Sequence, residues 1–385
     1  MIRWHHAALS LLLGCTVGDD GGGGGTTGAA TGPGEGSDDI ADGTADDSTT
    51  SAPSGDDATP PPPACAELDS LDCTNPDCAD EPLCMSETLR IATWNTLRIG
   101  PVGSDEYEAL LAIVLRLDAD VLCLQEVGEG EEPQLQALAD AAGYGEGLLA
   151  PASGPAGAGI ANACMSRLPT LDAAYLWSNW ISSDSSARDL TRPFVRLRLY
   201  HPGAERYISV LSGHLKAGTD DVDRFRRMVE SIRLGQAANA ERDEYPGNSV
   251  VVLGDLNERP NPAASTFTGL PSGLPSFYTL GNDIGFPMTY APEEPLLAAG
   301  LARVEARWED GSEEDTFIPV PSRLDYIYVS NEDPLVASEV YEACQDDGVD
   351  ADPTGDVFTK AGEPLQCGLS EMASDHRPVV VEFRL

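Results

Sequence analysis

The chain is poor in positive charge. Its 385 residues hold 23 Lys and Arg against 64 Asp and Glu, for a formal net charge of −41. That balance excludes attachment to nucleic acid or to an anionic membrane through bulk charge. Histidine is scarce as well. His5 and His6 lie at the extreme N-terminus, which leaves only His201, His214 and His376. A zinc site built mainly on imidazoles is nearly excluded by that scarcity. Nine cysteines are present, yet none forms a C-x-x-C pair, so a thiolate zinc site has no spacing to support it. No apolar run approaches the roughly 20 residues of a membrane-spanning helix. Aromatic residues make up only 6% of the chain, but hydrophobic residues reach 41%, enough for a large buried core.

What is present divides by position. Seventeen acids and no base occur from Thr16 to Glu87, and Arg3 is the only basic residue before them. Thr88 to Leu385 therefore carries the other 47 acids and 22 bases, a net −25, and is acidic in its own right. Residues 1–15 join Arg3 to a short apolar stretch, Ala7 to Leu13, and read as an export signal. Leu12-Leu13-Gly14-Cys15 resembles the lipobox of bacterial lipoproteins. That likeness implies a lipid anchor on Cys15 as the sole membrane contact; an ordinary cleaved signal is the alternative. Either reading places the protein outside the cytoplasm, at the outer membrane or cell surface, or secreted.

Residues 16–63, with a glycine run from Gly21 to Gly25 and prolines from Pro60 to Pro63, read as a disordered acidic linker. Residues 64–85 hold Cys65, Cys73, Cys78 and Cys84 and read as a small disulfide-stapled module. Residues 86–385 form the expected globular domain, read as a monomer. Cys344 and Cys367 read as a pair closing a C-terminal loop. Cys123 and Cys164 sit in apolar contexts and read as core residues, or as a further pair.

Within the domain, apolar spacing predicts strands over Leu89 to Asn95, Asp120 to Glu126, Arg192 to Tyr200, Glu205 to Ser212, Ser249 to Leu253, Arg323 to Ser330 and Pro378 to Phe383. Helical spacing falls on Asp105 to Leu117, Pro133 to Ala142 and Val222 to Arg242. Strands with few long helices between them imply an α/β protein with mixed sheets. Asn95, Glu126, His214, Asp255, Asn257, Asp325, Asp375 and His376 all fall at or just past strand ends. A strand end presents a side chain from a rigid scaffold. Each has a structural alternative alone, as a turn residue or surface acid; together they read as a site.

At these residues the chain resembles the endonuclease/exonuclease/phosphatase superfamily, whose members include DNase I-like nucleases, bacterial sphingomyelinases and inositol polyphosphate phosphatases. The matching stretches are Ile91-Ala92-Thr93-Trp94-Asn95, Leu124-Gln125-Glu126-Val127, Ser212-Gly213-His214-Leu215, Gly254-Asp255-Leu256-Asn257-Glu258, Arg323-Leu324-Asp325-Tyr326-Ile327 and Ser374-Asp375-His376-Arg377-Pro378. The resemblance implies a two-sheet α/β sandwich. It also implies Glu126 as principal metal ligand with Asn95 and Asp375 nearby, and Asn257 and His214 as donors to a phosphate.

Asp255 would orient the water or hold a second metal. His376, paired with Asp325, would be the general base, with Asp255 as the opposite assignment. Arg192 either contacts the phosphate or is a surface arginine. Oxygen ligands without thiolates suit Mg²⁺ or Mn²⁺, with Ca²⁺ a further candidate. The implied activity is hydrolysis of a phosphodiester, nucleic acid foremost. The alternatives are a lipid phosphodiesterase using the aromatics of the loop from Pro271 to Pro295 for membrane contact, an inositol-phosphate phosphatase, and a non-catalytic binding module.

Overall fold

The computed structural model describes residues 86–145, 148–149, 159–279, 283–346 and 360–385. The expected signal, linker and Cys-rich module lie outside the described residues.

In chain order the elements are β1 (Thr88–Asn95), α1 (Asp105–Leu117), β2 (Val121–Gly128), α2 (Glu132–Ala142), β3 (Leu148–Leu149), β4 (Ile160–Ser166), β5 (Thr170–Leu176), α3 (Ser178–Ile181), β6 (Phe194–His201) and β7 (Arg206–His214). Then come α4 (Asp221–Glu244), β8 (Ser249–Asp255), β9 (Thr266–Phe267), β10 (Met288–Thr289), α5 (Glu294–Ala298), β11 (Leu301–Arg303), β12 (Asp325–Ser330), β13 (Leu335–Val340), α6 (Leu369–Ala373) and β14 (Val379–Arg384). Two six-stranded sheets form, in the orders β13-β14-β1-β2-β4-β3 and β11-β12-β8-β7-β6-β5. The expected sandwich is present. Strands β3, β4, β5, β9, β10, β11 and β13 and the short helices α3, α5 and α6 are additions to the sequence-based expectation.

Alternation within each strand builds the layers. In β1, Leu89 and Ile91 enter a cluster shared with Val251, Leu253, Ile327 and Val329 of the other sheet, while Ala92 and Trp94 pack on α1 and α2. In β8, Val251 and Leu253 face the first sheet, while Val250 and Val252 pack against Leu234 and Ala238 of α4. Both faces of these strands are buried, which is why they read as continuous apolar runs. The disulfide Cys123–Cys164 lies in this interior, joining β2 to β4, and Cys344–Cys367 is also formed.

Two strand pairs are parallel, β1 with β2 and β7 with β8, each bridged by one long helix, α1 or α4. A parallel pair needs such a crossover, and it brings both carboxyl ends to the same edge. Asn95 and Glu126 therefore end neighbouring strands of one sheet, and His214 and Asp255 end neighbouring strands of the other. Because β12 is antiparallel to β8 and β14 to β1, Asp325 at the start of β12 and His376 just before β14 arrive at that same edge. Topology alone collects six polar residues from distant parts of the chain.

Candidate active site

Side-chain parity decides which of these groups face each other. Asn95 shares the inward face with Leu89 and Ile91, Asp255 with Val251 and Leu253, His214 with Ile208 and Val210, and Asp325 with Ile327 and Val329. Glu126 breaks the rule. Val121 and Cys123 face inward, so an unbroken strand would send Glu126 outward. The β2–β4 register shifts between Leu124 and Val127, and Glu126 takes φ 62°. That bulge re-aims the carboxylate inward, at the expense of a left-handed backbone on a side-chain-bearing residue. Glycine makes the matching approach in the other sheet. Gly254 has φ 135°, and a Cβ there would lie 1.8 Å from the Gly213 carbonyl oxygen.

The groups meet as follows. Asn95 Nδ2 donates to Asp255 Oδ2 at 3.0 Å and to Glu126 Oε1 at 3.3 Å. Its Oδ1 accepts from the Leu97 amide at 3.1 Å, so Asn95 turns nitrogen, not oxygen, to the two carboxylates. His214 Nε2 lies 3.6 Å from Asp255 Oδ2 and 3.8 Å from Glu126 Oε1, while its buried Nδ1 has no partner among the described residues. The Asn257 amide donates to Asp255 Oδ1 at 2.8 Å, and Asn257 Nδ2 donates to the Leu215 carbonyl at 3.0 Å.

His376 Nδ1 lies 2.7 Å from Asp325 Oδ2, with the Phe317 ring 4.9 Å from the imidazole. Trp94 Nε1 donates to the His376 carbonyl at 2.8 Å, and Ser374 Oγ donates to the Asn95 carbonyl at 2.7 Å and accepts from the His376 amide at 3.1 Å. These bonds tie the Ser374-Asp375-His376 segment to the end of β1. Asp375 is half-buried, and its carbonyl accepts from the Ile318 amide. Asp325 pairs with Asp255 across the β8–β12 ladder. Asp255, Asp325 and His376 each offer a ligand atom within 4.8 Å of the others.

Burial sets the charges. It pushes the Asp255 carboxyl up to about 7, and the Asp325 carboxylate beside it adds to the shift. Burial pulls His376 down, but the Asp325 carboxylate, by charge and hydrogen bond, outweighs it and raises the imidazole to about 10. His214 is held well below the ordinary imidazole range by burial, and the Arg192 guanidinium adds to that.

Arg192 is not a surface arginine. It is 9% exposed, its Nη1 donates to the His214 carbonyl at 3.2 Å, and Glu126 and Asp255 act on it electrostatically. Lys216 pairs with Asp223 at 3.0 Å. Asn162 is a structural residue, donating to the Pro193 carbonyl at 3.0 Å and so bracing the turn that carries Arg192.

Glu230, in the middle of α4, had no signal in the sequence. It is 1% exposed, and its two oxygens accept from the Thr191 amide at 2.8 Å and the Lys216 amide at 2.6 Å. One buried carboxylate thus braces both segments that flank His214.

Among the described residues of the loop from Pro271 to Pro295, the four aromatics pack inward. Tyr278 and Tyr290 are buried, and Phe277 and Phe286 pack on the same cluster around Phe225.

A pair of facing sheets that bring carboxylates and imidazoles together at one edge makes this an α/β sandwich with a polar site. Residues 92–376 match the model of the Endonuclease/Exonuclease/phosphatase family, and the chain belongs to that family. It is a phosphoric ester hydrolase of that class.

Among solved structures it is similar to the Bacteroides thetaiotaomicron VPI-5482 mannosyl-6-phosphatase at 17% identity, over 77% of this chain and 100% of that one, with TM-score 0.49. A second is the endonuclease/exonuclease/phosphatase from Bacteroides vulgatus, at 14% identity over 77% and 99% of the two chains, with TM-score 0.48. A third is truncated Caenorhabditis elegans TDP2, at 16% identity over 77% and 98%, with TM-score 0.46. No curated protein matches the chain.

Proposed function

We propose that this chain is an exported, divalent-metal-dependent phosphoesterase that hydrolyses nucleic-acid phosphodiester bonds by in-line attack of water. One observation supports the reading most. Asp255 and Asp325 are neighbours across a ladder, both buried, and among the described residues Asp325 Oδ1 has no hydrogen-bond partner. His376 offsets one of these two carboxylates, and a proton or a cation would offset the other.

The donor set fits a hard cation. Asp255 and Asp325 supply carboxylate oxygen beside His376, Glu126 shares the Asn95 amide with Asp255, Asp375 is adjacent to His376, and among the described residues no thiolate joins the group. Mg²⁺ or Mn²⁺ suits it best, and bound there it would neutralise charge building on the phosphoryl oxygens.

The protein's own groups have separable roles. Asp255, held beside Glu126 by the Asn95 amide, is assigned the proton of the attacking water. His376 stays imidazolium; one N–H is spent on Asp325, and the other is a donor to a phosphoryl oxygen. Asp255 is the base in this reading, and His376, whose tautomer the Asp325 contact fixes, is the opposite assignment. Asn95 fixes Asp255 against Glu126, and neutral His214 and the second amide hydrogen of Asn257 are further donors to the phosphate. As the new P–O bond forms, the old one breaks, and the leaving oxygen takes its proton from solvent.

The full-length protein, assayed with Mg²⁺, Mn²⁺ or Ca²⁺ on plasmid DNA, RNA and sphingomyelin, tests the reading. Cleavage of nucleic acid that stops with chelator is expected. Activity undiminished by chelator, or confined to sphingomyelin, would overturn it. Membrane-fraction association lost in Cys15→Ala tests the anchor; a full-length chain that stays soluble in either form counts against it.

A further inference from the structure

His376 reaches the site on a segment held from behind by a disulfide. Cys344 lies shortly past β13 and Cys367 just before α6, and their bond spans a separation of 23 residues. Both cysteines are exposed. The Cys123–Cys164 disulfide differs, since those residues are 0% and 1% exposed.

The two ends of the exposed bond make contacts that fix residues 374–377. On one side, Glu342 accepts from Arg377 Nε and, through its other oxygen, from the Cys344 amide at 3.0 Å. On the other side, α6 runs directly into Ser374, whose amide donates to the Ser370 carbonyl at 3.1 Å. The Ser370 hydroxyl accepts from the Ala343 amide at 3.0 Å, so the two sides also meet beneath the bond. Ser374 Oγ in turn accepts from the His376 amide.

A helix of five residues is too short to persist on its own hydrogen bonds. Ala373 and Leu369 anchor one face of α6 in the cluster around α1, and the disulfide anchors its entry. Opening the bond leaves packing and the Ala343–Ser370 hydrogen bond to hold it. Small displacements of a reacting group are costly to turnover. Thiol exchange also requires access to a sulfur, which the exposed pair offers and the interior pair does not.

We infer that Cys344–Cys367 is a thiol-responsive tether on the His376 segment: closed, it holds the imidazole against Asp325; opened, it lowers turnover without unfolding the domain. A dithiol attacks one sulfur to form a mixed disulfide, and its second thiol then displaces the cysteine. Cys344 and Cys367 end as two thiols, and the dithiol ends as its own disulfide. The turnover effect rests on the phosphoester reading above; the effect on His376 does not.

The test uses full-length wild type and Cys344→Ser/Cys367→Ser, with Mg²⁺ and bis-para-nitrophenyl phosphate. Mild dithiothreitol, then alkylation and peptide mass mapping, should label Cys344 and Cys367 and leave Cys123 and Cys164 unlabelled. Opening should lower kcat by about tenfold and keep KM within about threefold. Reoxidation should restore the wild type. The double variant should start at the lowered kcat and show no response to dithiothreitol. Proton NMR signals of the His376 ring should broaden in the opened protein and in the variant, with the far-UV circular dichroism unchanged.

Labelling of Cys123 and Cys164 before the exposed pair would overturn the tether. So would a variant that responds to dithiothreitol as the wild type does, since another cysteine would then carry the effect. An opened protein or folded variant that keeps its kcat and its His376 signals would show that the bond adds stability alone, and would also overturn it. If the variant does not fold, the opened and alkylated wild type gives the same comparison. Broadened His376 signals with no ester turned over by any form would count against hydrolysis and leave the tether standing.

Discussion

Nδ1 of His376 lies 2.7 Å from Oδ2 of Asp325, inside a site where both residues are buried. The contact fixes which ring nitrogen faces the carboxylate and keeps the imidazole charged. Asp325→Asn removes the charge and retains the shape. The His376 titration should then fall from about 10 toward the ordinary imidazole range. Turnover should fall by about 10²-fold, as expected for loss of a positioned donor. Proton NMR of the imidazole and steady-state kinetics check this. An unmoved titration in the folded variant would refute the assignment.

Much of this site is legible in the chain because strand ends are. Asn95, His214, Asp255 and Asp325 each continue the inward parity of an apolar run, so pattern and motif agree. Glu126 is different. Its motif marks it, but alternation sends it outward, and only the bulge at φ 62° reverses that.

Glu230 lies within the charged sequence of α4. Its role depends on which loops the helix crosses, and helical spacing carries no such information. Strand β5 was hidden for a further reason: most of its residues are exposed or half-buried, so its alternation is weak.

Glu230 offers a second test. Its two oxygens accept from two backbone amides, and a Gln in its place can accept at only one of them. The other amide would face an NH₂ group, leaving a buried donor unsatisfied, at about 1–3 kcal/mol. Glu230→Gln should therefore lower stability by that amount. It should also raise KM more than it lowers kcat, because Arg192 is placed through Thr191. Urea unfolding and Michaelis analysis of one preparation separate the two effects. A stability loss with KM unchanged would reduce Glu230 to a packing residue.

The Cys123–Cys164 disulfide joins neighbouring strands across a separation of 41 residues. Its main effect is to restrict the unfolded chain, with about 3–4 kcal/mol expected for a loop of that length. Replacing both residues with alanine should lower the denaturation midpoint accordingly and raise the slope with denaturant, because the unfolded chain without the cross-link exposes more surface. Comparing this variant with the wild type under oxidising conditions checks the figure. A midpoint unchanged within error would mean that the bond contributes nothing net.

Asp120 provides a pH test away from the site. Its Oδ2 accepts from the Arg90 amide at 2.9 Å, yet burial raises the carboxyl from 3.8 to about 6. The folded chain therefore holds this proton more tightly than the unfolded chain. The stabilisation is fully present below the unfolded value and is lost as pH rises through about 6. Asp120→Asn keeps an acceptor for Arg90 and removes the titration. The stability of the variant relative to wild type should thus increase from about pH 4 to about pH 8, by no more than roughly 3 kcal/mol. Urea titrations of both proteins across that range measure it. A relative stability that declines with pH would show that the charged form is the one the fold favours, through Arg90 and Arg167.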